Sequence, residues 1–191
     1  MIYSFTKRSF DITCSFLALG LLCIPMIIIV VLIKFTSPGP AFYLSKRIGI
    51  ENSIFKMFKF RTMVADAPVV ATHLLNDPRK YVTSIGKFLR KYSIDELPQL
   101  INILKGDMSF VGPRPALFNQ DDLVVLRSAK GIQHLIPGLT GWAQINGRDD
   151  LPIPVKVNFD EYYLSHRCFV FDLKILFITI LRVIKKEGVQ H

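Results

Sequence analysis

The hydrophobic pattern divides the chain into two unequal parts. Residues 12–33 carry no charged side chain, and a helix rising about 1.5 Å per residue would make this stretch about 33 Å long, enough to match the hydrocarbon core of a bilayer. Pro25 lies near its middle, where a proline removes a backbone donor and bends a helix. The pattern predicts a bent membrane helix over residues 1–36.

Basic residues lie on both sides of this apolar segment, with Lys7 and Arg8 before it and Lys34 after it. Such flanks are normally kept on the cytoplasmic side. A re-entrant segment, which enters and leaves by the same face, satisfies both flanks, whereas a spanning helix explains only the length. A cleaved signal peptide fits less well, because the run is long and no small-residue cleavage site follows it. Spanning and re-entrant insertion both stay open on this pattern.

Beyond "TSPGP" at residues 36–40, the pattern changes to short β-prone runs. Residues 41–49 and 53–63 alternate in part and are separated by "IEN", which predicts a β-hairpin. Residues 65–84 predict a loop with a short helix. Residues 85–93 place apolar side chains on one helical face and basic ones on the others, which predicts an amphipathic helix on a core or a membrane surface.

The second half of the chain is mostly helical in pattern. Residues 116–136 predict a helical region, residues 137–154 a Gly/Pro-rich loop, and residues 159–186 one amphipathic helix. The fold class predicted is α+β and predominantly helical, with an N-terminal membrane helix, a β-hairpin and amphipathic helices at the interface. Residues 37–191 are predicted to form one catalytic or binding domain.

Composition narrows the class of partner. Half of the 191 residues are hydrophobic, and 24 Lys and Arg against 15 Asp and Glu give a net charge of +9. This balance favours an acidic membrane surface, a phosphate-rich substrate or nucleic acid, but no nucleic-acid module with interleaved aromatic and basic residues is found. Three cysteines without C-x-x-C spacing, and four scattered histidines, argue against a disulfide framework and a zinc site.

The stretch "YSIDELPQL" at residues 92–100 places two carboxylates side by side. Ser93 and Glu96 fit a capping box, but Pro98 would then be the fifth helical residue, where its missing amide is needed. With Asp95 as N-cap, the amide of Pro98 is surplus. A helix is therefore predicted to begin near Asp95, and an ordinary helix cap explains this acid as well as catalysis does.

Basic residues close to candidate turns give the acid pair a chemical use. Lys59, Arg61, Arg90 and Arg114 flank such turns, and the arginine in "GPRPA" is held between two prolines. A guanidinium fork fixed in this way suits bidentate phosphate recognition. A carboxylate that attacks a phosphoryl group needs such cations or a divalent metal to offset charge repulsion.

Three stretches carry a resemblance to a known family. They are "KFRTM" (59–63), "SIDELPQLINILKGDMSFVGPRP" (93–115) and "PGLTGWAQINGR" (137–148), which follow an N-terminal "KRSFDI" and the apolar segment. Together they resemble the bacterial sugar transferases, the monotopic phosphoglycosyl transferases. The resemblance covers nearly the whole chain, and the length is that of a minimal member without the transmembrane bundle of larger relatives.

The resemblance implies transfer of a sugar-1-phosphate from a UDP-sugar to undecaprenyl phosphate, with release of UMP. This is the first membrane step in the assembly of a surface glycan such as O-antigen, capsule, exopolysaccharide or glycoprotein glycan. Asp95 would attack the sugar-bearing phosphate and form a covalent phosphosugar-enzyme. Glu96 would assist in metal or proton handling, and both carboxylates would hold Mg²⁺. Lys59, Arg90 and Arg114 match basic, phosphate-binding positions of the family.

The loop at residues 137–148 matches a region of the family near the nucleotide-sugar, which assigns Gln144, Asn146 and Arg148 to that substrate. Trp142 in the same loop could stack on uracil, but we favour an anchoring role because such a tryptophan more often fixes a loop to a core. The family includes enzymes for hexoses, N-acetylhexosamines and diacetamido sugars. The resemblance therefore predicts a class of donor.

In this family the membrane segment is re-entrant, and the catalytic domain, here residues 37–191, lies on the cytoplasmic face of the bacterial inner membrane among its lipids. The family breaks its helix at a Ser-Pro pair, whereas this chain has Ile24 and Pro25. A serine hydroxyl can satisfy a carbonyl freed by proline, and isoleucine cannot. Ile136 likewise replaces a basic residue of the family.

Two other functions fit the acids, the basic residues and the membrane segment. One is a membrane phosphohydrolase that acts on polyprenyl diphosphates, and the other is a non-enzymatic basic adaptor bound to acidic lipid. Release of UMP from a UDP-sugar separates the three, because the hydrolase would release inorganic phosphate and the adaptor nothing.

Overall fold

The computed structural model describes residues 2–64, 80–147 and 151–185. Its helices and strands, in chain order, are α1 (Ile2–Thr36), β1 (Phe42–Ile48), β2 (Ile54–Phe60), α2 (Ser84–Lys91), α3 (Gln99–Lys105), β3 (Ser109–Val111), α4 (Asp121–Ala129), β4 (Gly138–Thr140), α5 (Trp142–Ile145), α6 (Ile153–His166) and α7 (Phe169–Lys185). The predicted α+β, mainly helical class is confirmed. Most of the predicted loop at residues 65–84 lies outside the described residues.

The predicted β-hairpin is confirmed. Strands β1 and β2 pair antiparallel from Phe42 opposite Phe60 to Ile48 opposite Ile54. A 3₁₀ turn over Ile50–Asn52 joins them, and its Glu51 and Asn52 have positive φ values of 52° and 57°. Left-handed backbone of this kind is typical of tight hairpin turns. The hairpin places Lys59, near the end of β2, against the elements that follow.

Asn102 fixes the hairpin to α3. Its side chain is 0% exposed, accepts a hydrogen bond from the Phe58 amide at 2.9 Å and donates one to the Lys56 carbonyl at 2.8 Å. The Asn102 side chain thus pairs with two backbone groups on the open edge of β2, the amide of Phe58 and the carbonyl of Lys56. Since buried backbone groups require partners, Asn102 sets the distance between β2 and the residues that lead into α3.

A second sheet consists of β3 and β4, which pair in parallel. Val111 at the end of β3 lies in a core formed mainly by α4, α6 and α7, with Leu123, Val157 and Ile175 among its buried members. The two segments that follow β3 and β4 emerge side by side, because parallel strands end at the same edge. "GPRP" and the "GWAQING" segment are therefore neighbours.

The structure corrects the pattern-based boundaries of the C-terminal half. The single helix predicted over residues 159–186 is two helices, α6 and α7, separated at Arg167, whose ψ of 122° is extended. No proline or glycine lies at this break, and the apolar pattern continues across it. The predicted loop at residues 137–154 contains β4, α5 and the start of α6, while the predicted helical region at 116–136 contains α4 and a 3₁₀ turn over Ile132–His134.

Helix α1 lies along the rest of the protein over nearly its whole length. Near its N-terminus, Lys7 Nζ lies 2.7 Å from Asp172 Oδ2 in α7, and the buried Asp11 accepts a hydrogen bond from the Phe110 amide at 3.1 Å. Near its C-terminus, Ile33 packs with Phe60 of β2 in a second core. Both ends of α1 therefore contact the same domain.

The opposite face of α1 exposes large apolar side chains. They are Ile2, Phe5, Ile12, Phe16, Leu17, Leu21, Ile24, Ile27, Ile28, Val31, Leu32 and Phe35. α1 is long and apolar enough to cross a membrane, and it continues without interruption through Pro25. A helix that crossed perpendicular to the surface would carry one end away from the domain, so the contacts at both ends favour the same-face placement, which stays a prediction.

This placement can be tested with a single cysteine at Ser4 in a background where Cys14, Cys23 and Cys168 are serine. Because Lys7 is tied to α7, Ser4 should react with a membrane-impermeant maleimide only after the cells are opened. Asn119→Cys, at an exposed position in the domain, is the matched control and should behave identically. Labelling of Ser4→Cys, but not of Asn119→Cys, in intact cells with a permeable outer membrane would show that α1 spans.

Candidate active site

The acid pair lies on a short turn outside α3. A 3₁₀ turn covers Ile94–Glu96, preceded by Ser93 in a left-handed conformation with φ of 54°, while α3 begins at Gln99 with Pro98 as its N-cap. The predicted helix start at Asp95 is therefore wrong, and Ser93 makes no capping bond. Pro98 still marks the boundary, because a proline tolerates only the first turn of a helix.

Asp95 is therefore not the N-cap of α3. Its residue is 8% exposed, yet among the described residues its carboxylate accepts no hydrogen bond from a backbone amide, as a cap would. The nearest cation is Lys59, whose Nζ lies 3.9 Å from Asp95 Oδ2. A buried carboxylate with so little direct compensation is unusual, which keeps Asp95 a candidate for contact with a ligand.

Glu96, in contrast, is bound by two cations at one of its carboxylate oxygens. Its Oε1 accepts hydrogen bonds from Lys59 Nζ at 2.8 Å and from Arg114 Nη2 at 3.3 Å. Lys59 comes from β2 and Arg114 from the turn after β3, so two segments more than 50 residues apart in sequence meet at one carboxylate oxygen. The structure thus brings Lys59 and Arg114 together at the acid pair.

The pKa values of the two carboxyl groups are shifted in opposite directions. Burial by itself would raise the pKa of Glu96, but the charges of Lys59 and Arg114 outweigh it and hold that pKa at about 2. For Asp95, burial raises the pKa above its usual value, the charge of Lys59 opposes this, and that of Glu96 adds to it. Unequal carboxylates of this kind are typical of functional sites.

Arg90, in the last turn of α2, also faces the site. Its Nε donates to Thr62 Oγ1 at 2.9 Å. Burial lowers the pKa of the Arg90 guanidinium, and the negative charge of Asp95 opposes this shift, so the two groups interact electrostatically. Sequence reasoning named Arg90 but missed Thr62, although it lies within the quoted "KFRTM". Arg61 lies elsewhere, since its guanidinium donates to the Ser37 and Pro38 carbonyls at the end of α1.

The loop assigned to the nucleotide-sugar packs against the turn that carries Arg114. The Gly112 amide donates to the Thr140 carbonyl at 2.8 Å, and the Gly138 amide donates to the Pro113 carbonyl at 2.9 Å. A Cβ on Gly141 would lie 2.1 Å from the Gly112 carbonyl oxygen. Only glycine permits this close approach of two backbones, so the loop and the turn form one unit.

The three loop residues differ in their surroundings. Gln144 is 8% exposed, and neither polar atom of its amide has a partner among the described residues. Asn146 is exposed and donates to the Trp142 carbonyl at 2.7 Å, which makes it a local turn residue here. Arg148 lies outside the described residues. Orphaned buried amides are uncommon, so Gln144 keeps its candidacy as a ligand contact.

Trp142 anchors the loop. Its ring stacks on Tyr162 with centroids 5.8 Å apart and lies 5.0 Å from the ring of Phe171. Lys174 Nζ, in α7, lies 6.0 Å from the centroid of the Trp142 ring. These contacts favour the anchoring role over stacking on a base.

The acid pair can contribute to a magnesium site only together with a substrate. In residues 2–64, 80–147 and 151–185, no group of three or more His, Cys, Asp or Glu is placed to hold a metal ion. Mg²⁺ is, however, commonly held by one or two carboxylates together with substrate phosphates and water. Asp95 and Glu96 would supply carboxylate oxygens to a site of that kind.

Comparison with known proteins shows the family of the chain. A sequence model described as "Bacterial sugar transferase" matches residues 2–186. The chain is 40% identical over 189 residues to the "Uncharacterized sugar transferase EpsL" of Bacillus subtilis, covering 97% of this chain and 90% of the relative. It is 41% identical over 201 residues to the "Exopolysaccharide production protein ExoY" of Rhizobium meliloti, covering 95% and 87%. The chain belongs to the bacterial sugar transferase family.

Larger relatives contain the same unit. The "UDP-glucose:undecaprenyl-phosphate glucose-1-phosphate transferase" of Escherichia coli is 40% identical over 185 residues, which cover 92% of this chain and 39% of the relative. The "Undecaprenyl-phosphate galactose phosphotransferase" of Salmonella typhimurium is 37% identical over 206 residues, with 96% and 41% covered. The chain thus spans about two fifths of these longer proteins.

The ion pairs of Glu96 predict a pH-dependent stability. Because the pKa of Glu96 is about 2 in the folded protein, against roughly 4.3 in an unfolded chain, its charge stabilises the fold above about pH 4.3, and this contribution is lost as the pH falls towards 2. Glu96→Gln should therefore lower the thermal midpoint near neutral pH, with a difference from wild type that narrows over this range.

The measurement is differential scanning fluorimetry in detergent at pH 7, 5, 4 and 3. Glu161→Gln is the matched control, since Glu161 pairs with Lys130 at a more exposed position and exposed pairs contribute little. A difference between Glu96→Gln and wild type that stays constant across the pH series would contradict the ion pairing.

Proposed function

We propose that this protein transfers a sugar-1-phosphate from a UDP-sugar to undecaprenyl phosphate and releases UMP, at the cytoplasmic face of the bacterial inner membrane. The observation that carries the proposal is the pairing of unlike acids: Glu96 is bound by Lys59 and Arg114, while Asp95 beside it accepts no hydrogen bond within the described residues. One acid organises the cations, and its neighbour is left available as a nucleophile.

The reaction proceeds in two displacements at one phosphorus. A carboxylate oxygen of Asp95 bonds to the phosphorus that bears the sugar, the bond from that phosphorus to the bridging oxygen breaks, and UMP leaves with the electron pair. A phosphate oxygen of undecaprenyl phosphate then bonds to the same phosphorus, and the bond to Asp95 breaks. The products are the polyprenyl diphosphosugar and free Asp95, so atoms and charges balance.

The cations offset the repulsion between Asp95 and a dianionic substrate. Lys59, 3.9 Å from Asp95, and Arg90 and Arg114, whose charges both lower the pKa of Asp95, surround the point of attack. A low pKa of about 2 makes Glu96 unsuited to carry a proton near neutral pH. Its role is to remain ionised and hold Lys59 and Arg114 in place, with its second oxygen directed to metal binding.

Asp95 and Glu96 would hold Mg²⁺ together with the donor diphosphate. When bound, the ion neutralises charge on the phosphoryl oxygens. The protein's own part is to present two carboxylates, of which only Glu96 accepts hydrogen bonds from cations within the described residues. The carboxylate oxygens that accept no hydrogen bond from the described residues would then be available to bind the metal ion.

The printed names of relatives support the donor and acceptor classes. Those names specify undecaprenyl phosphate with galactose, N-acetylgalactosamine or glucose donors, and the ExoY relatives are named for exopolysaccharide production. The sugar differs between relatives at similar identity. We therefore extend to this chain the class of UDP-sugars, and a place at the membrane step that begins glycan assembly.

Asp95→Asn tests the nucleophile. The change keeps the shape of the side chain but removes its charge, so UMP release should fall by roughly 1,000-fold or more while the thermal midpoint stays close to that of wild type. The assay measures UMP from UDP-glucose, UDP-galactose and UDP-N-acetylgalactosamine with undecaprenyl phosphate in lipid nanodiscs.

Asp121→Asn, at an exposed carboxylate in the first turn of α4, is the control and should keep full activity. Ordinary turnover by Asp95→Asn, with deamidation excluded by mass spectrometry, would refute the covalent role. Release of inorganic phosphate from undecaprenyl diphosphate in place of UMP release would identify a phosphohydrolase, and release of neither would leave the adaptor.

Removal of divalent metal is the second test. Excess EDTA should stop UMP release and excess Mg²⁺ should restore it, because a diphosphate next to two carboxylates needs further neutralisation. Asp95→Asn serves as the inactive baseline in the same assay. Unchanged activity in excess chelator would remove the metal from the mechanism.

A further inference from the structure

A buried ion pair joins α4 to α6 beneath the candidate site. Arg127 is 8% exposed and Asp160 is 1% exposed. The Arg127 Nε and Nη2 atoms both donate to Asp160 Oδ2, at 3.0 Å and 2.7 Å. Desolvation of two charges offsets most of the attraction between them, so a buried pair adds little to stability compared with apolar residues of the same size. Its presence calls for another purpose.

The third nitrogen of the Arg127 guanidinium indicates such a purpose. Arg127 Nη1 donates to the main-chain carbonyl of Arg114 at 2.8 Å, and Arg114 in turn binds Glu96 through its guanidinium. A planar guanidinium with several donors can fix a carboxylate and a carbonyl at once. Asp160 accepts hydrogen bonds from Nε and Nη2 of Arg127 and thereby orients Nη1 towards the Arg114 carbonyl.

The turn that carries Arg114 depends on donors from outside. Two of its residues, Pro113 and Pro115, have no amide hydrogen, so the turn cannot be held by hydrogen bonds of its own in the usual way. Its carbonyls instead accept bonds from other elements. The donors are the Gly138 amide to Pro113 at 2.9 Å, Arg127 to Arg114 at 2.8 Å, Arg47 to Pro115 at 3.2 Å and the Ile48 amide to Ala116 at 3.0 Å.

We propose that Arg127, oriented by Asp160, is a positioning residue that fixes the main chain of Arg114 and so holds the Arg114 guanidinium where it meets Glu96 and the donor diphosphate. The inference rests on the proposed function. Without Arg127, the Arg114 side chain remains but is no longer aimed, and the donor binds less tightly. No local motif marks Arg127 or Asp160, which is why sequence reasoning missed both.

The central test replaces the pair as a whole. The double variant Arg127→Met with Asp160→Leu removes both charges and fills the same space, which keeps the fold, as apolar replacements of buried pairs do. It deletes the donor to Arg114. The KM for the preferred UDP-sugar should rise about tenfold, the effect of losing one well-placed interaction with a phosphate, with a smaller change in kcat.

The matched control removes a second ion pair, which joins Lys130 at the end of α4 to Glu161 in α6. Lys130 Nζ lies 2.6 Å from Glu161 Oε2, and Lys130→Ala with Glu161→Ala should leave KM and kcat unchanged. A loss of folded protein would lower the apparent kcat and leave KM as it is. The split between KM and kcat therefore separates positioning from a structural defect.

A double-mutant cycle with Arg114→Ala tests the route of the effect. If Arg127 acts through Arg114, the paired substitution should cause no further rise of KM in the Arg114→Ala background. An unchanged KM in the paired variant, or additive effects in the cycle, would overturn the proposal. Should the paired variant fail to fold, Arg127→Lys keeps the ion pair without the reach of the fork and should raise KM in the same direction, and an unchanged KM there would overturn the proposal equally.

Failure of the proposed function gives a different result. If the wild-type protein releases no UMP, the same variants are compared by calorimetry for the dissociation constant of UDP-glucose. A weaker affinity in the paired variant, but not in the Lys130 and Glu161 control, supports positioning of Arg114, and equal affinities overturn it.

Discussion

The site depends on one carboxylate that stays charged. Glu96 is ionised because Lys59 and Arg114 meet at its Oε1, and this contact brings together the hairpin, the turn before α3 and the turn after β3. With Glu96 engaged, Asp95 is left buried, close to like charge and without a hydrogen bond from the described residues. Burial and the charge of Glu96 raise its pKa, and the charge of Lys59 opposes this shift. The proposed nucleophile and the proposed phosphate-binding groups therefore arise from a single arrangement.

Much of this arrangement could be predicted from local pattern. Alternating β-prone runs around "IEN" gave the hairpin, and the acids and basic residues near prolines indicated phosphate chemistry before any contact was known. The boundaries of the turn at Asp95 could not be predicted correctly, because no local motif marks the left-handed Ser93 or the 3₁₀ turn that follows it. Arg127 and Asp160 carry no pattern either, since each is meaningful only through a partner 33 residues away. The break at Arg167 was missed because apolar periodicity continues across it.

Helix α1 relates the candidate site to the membrane. Its packed face is fixed at both ends, by Asp172 near the N-terminus and by Phe60 near the C-terminus, and the same strand β2 that ends at Phe60 carries Lys59. Its other face is apolar and exposed, as a helix in contact with lipid requires. Insertion of α1 would thus bring the acid pair close to the membrane surface, where the phosphate of a polyprenyl acceptor lies. The C-terminal end of α1, which is far from the acid pair in sequence, thus packs against the strand that carries Lys59.

The central claim is that Asp95 forms a covalent bond with the sugar-bearing phosphate. The most direct measurement is mass spectrometry of the protein incubated with its UDP-sugar and Mg²⁺ in the absence of undecaprenyl phosphate, followed by peptide mapping. We expect the peptide that contains Asp95 to gain the mass of one sugar phosphate, and this gain to disappear when undecaprenyl phosphate is added. Turnover without any adduct under rapid quenching, or an adduct on another residue, would contradict the account.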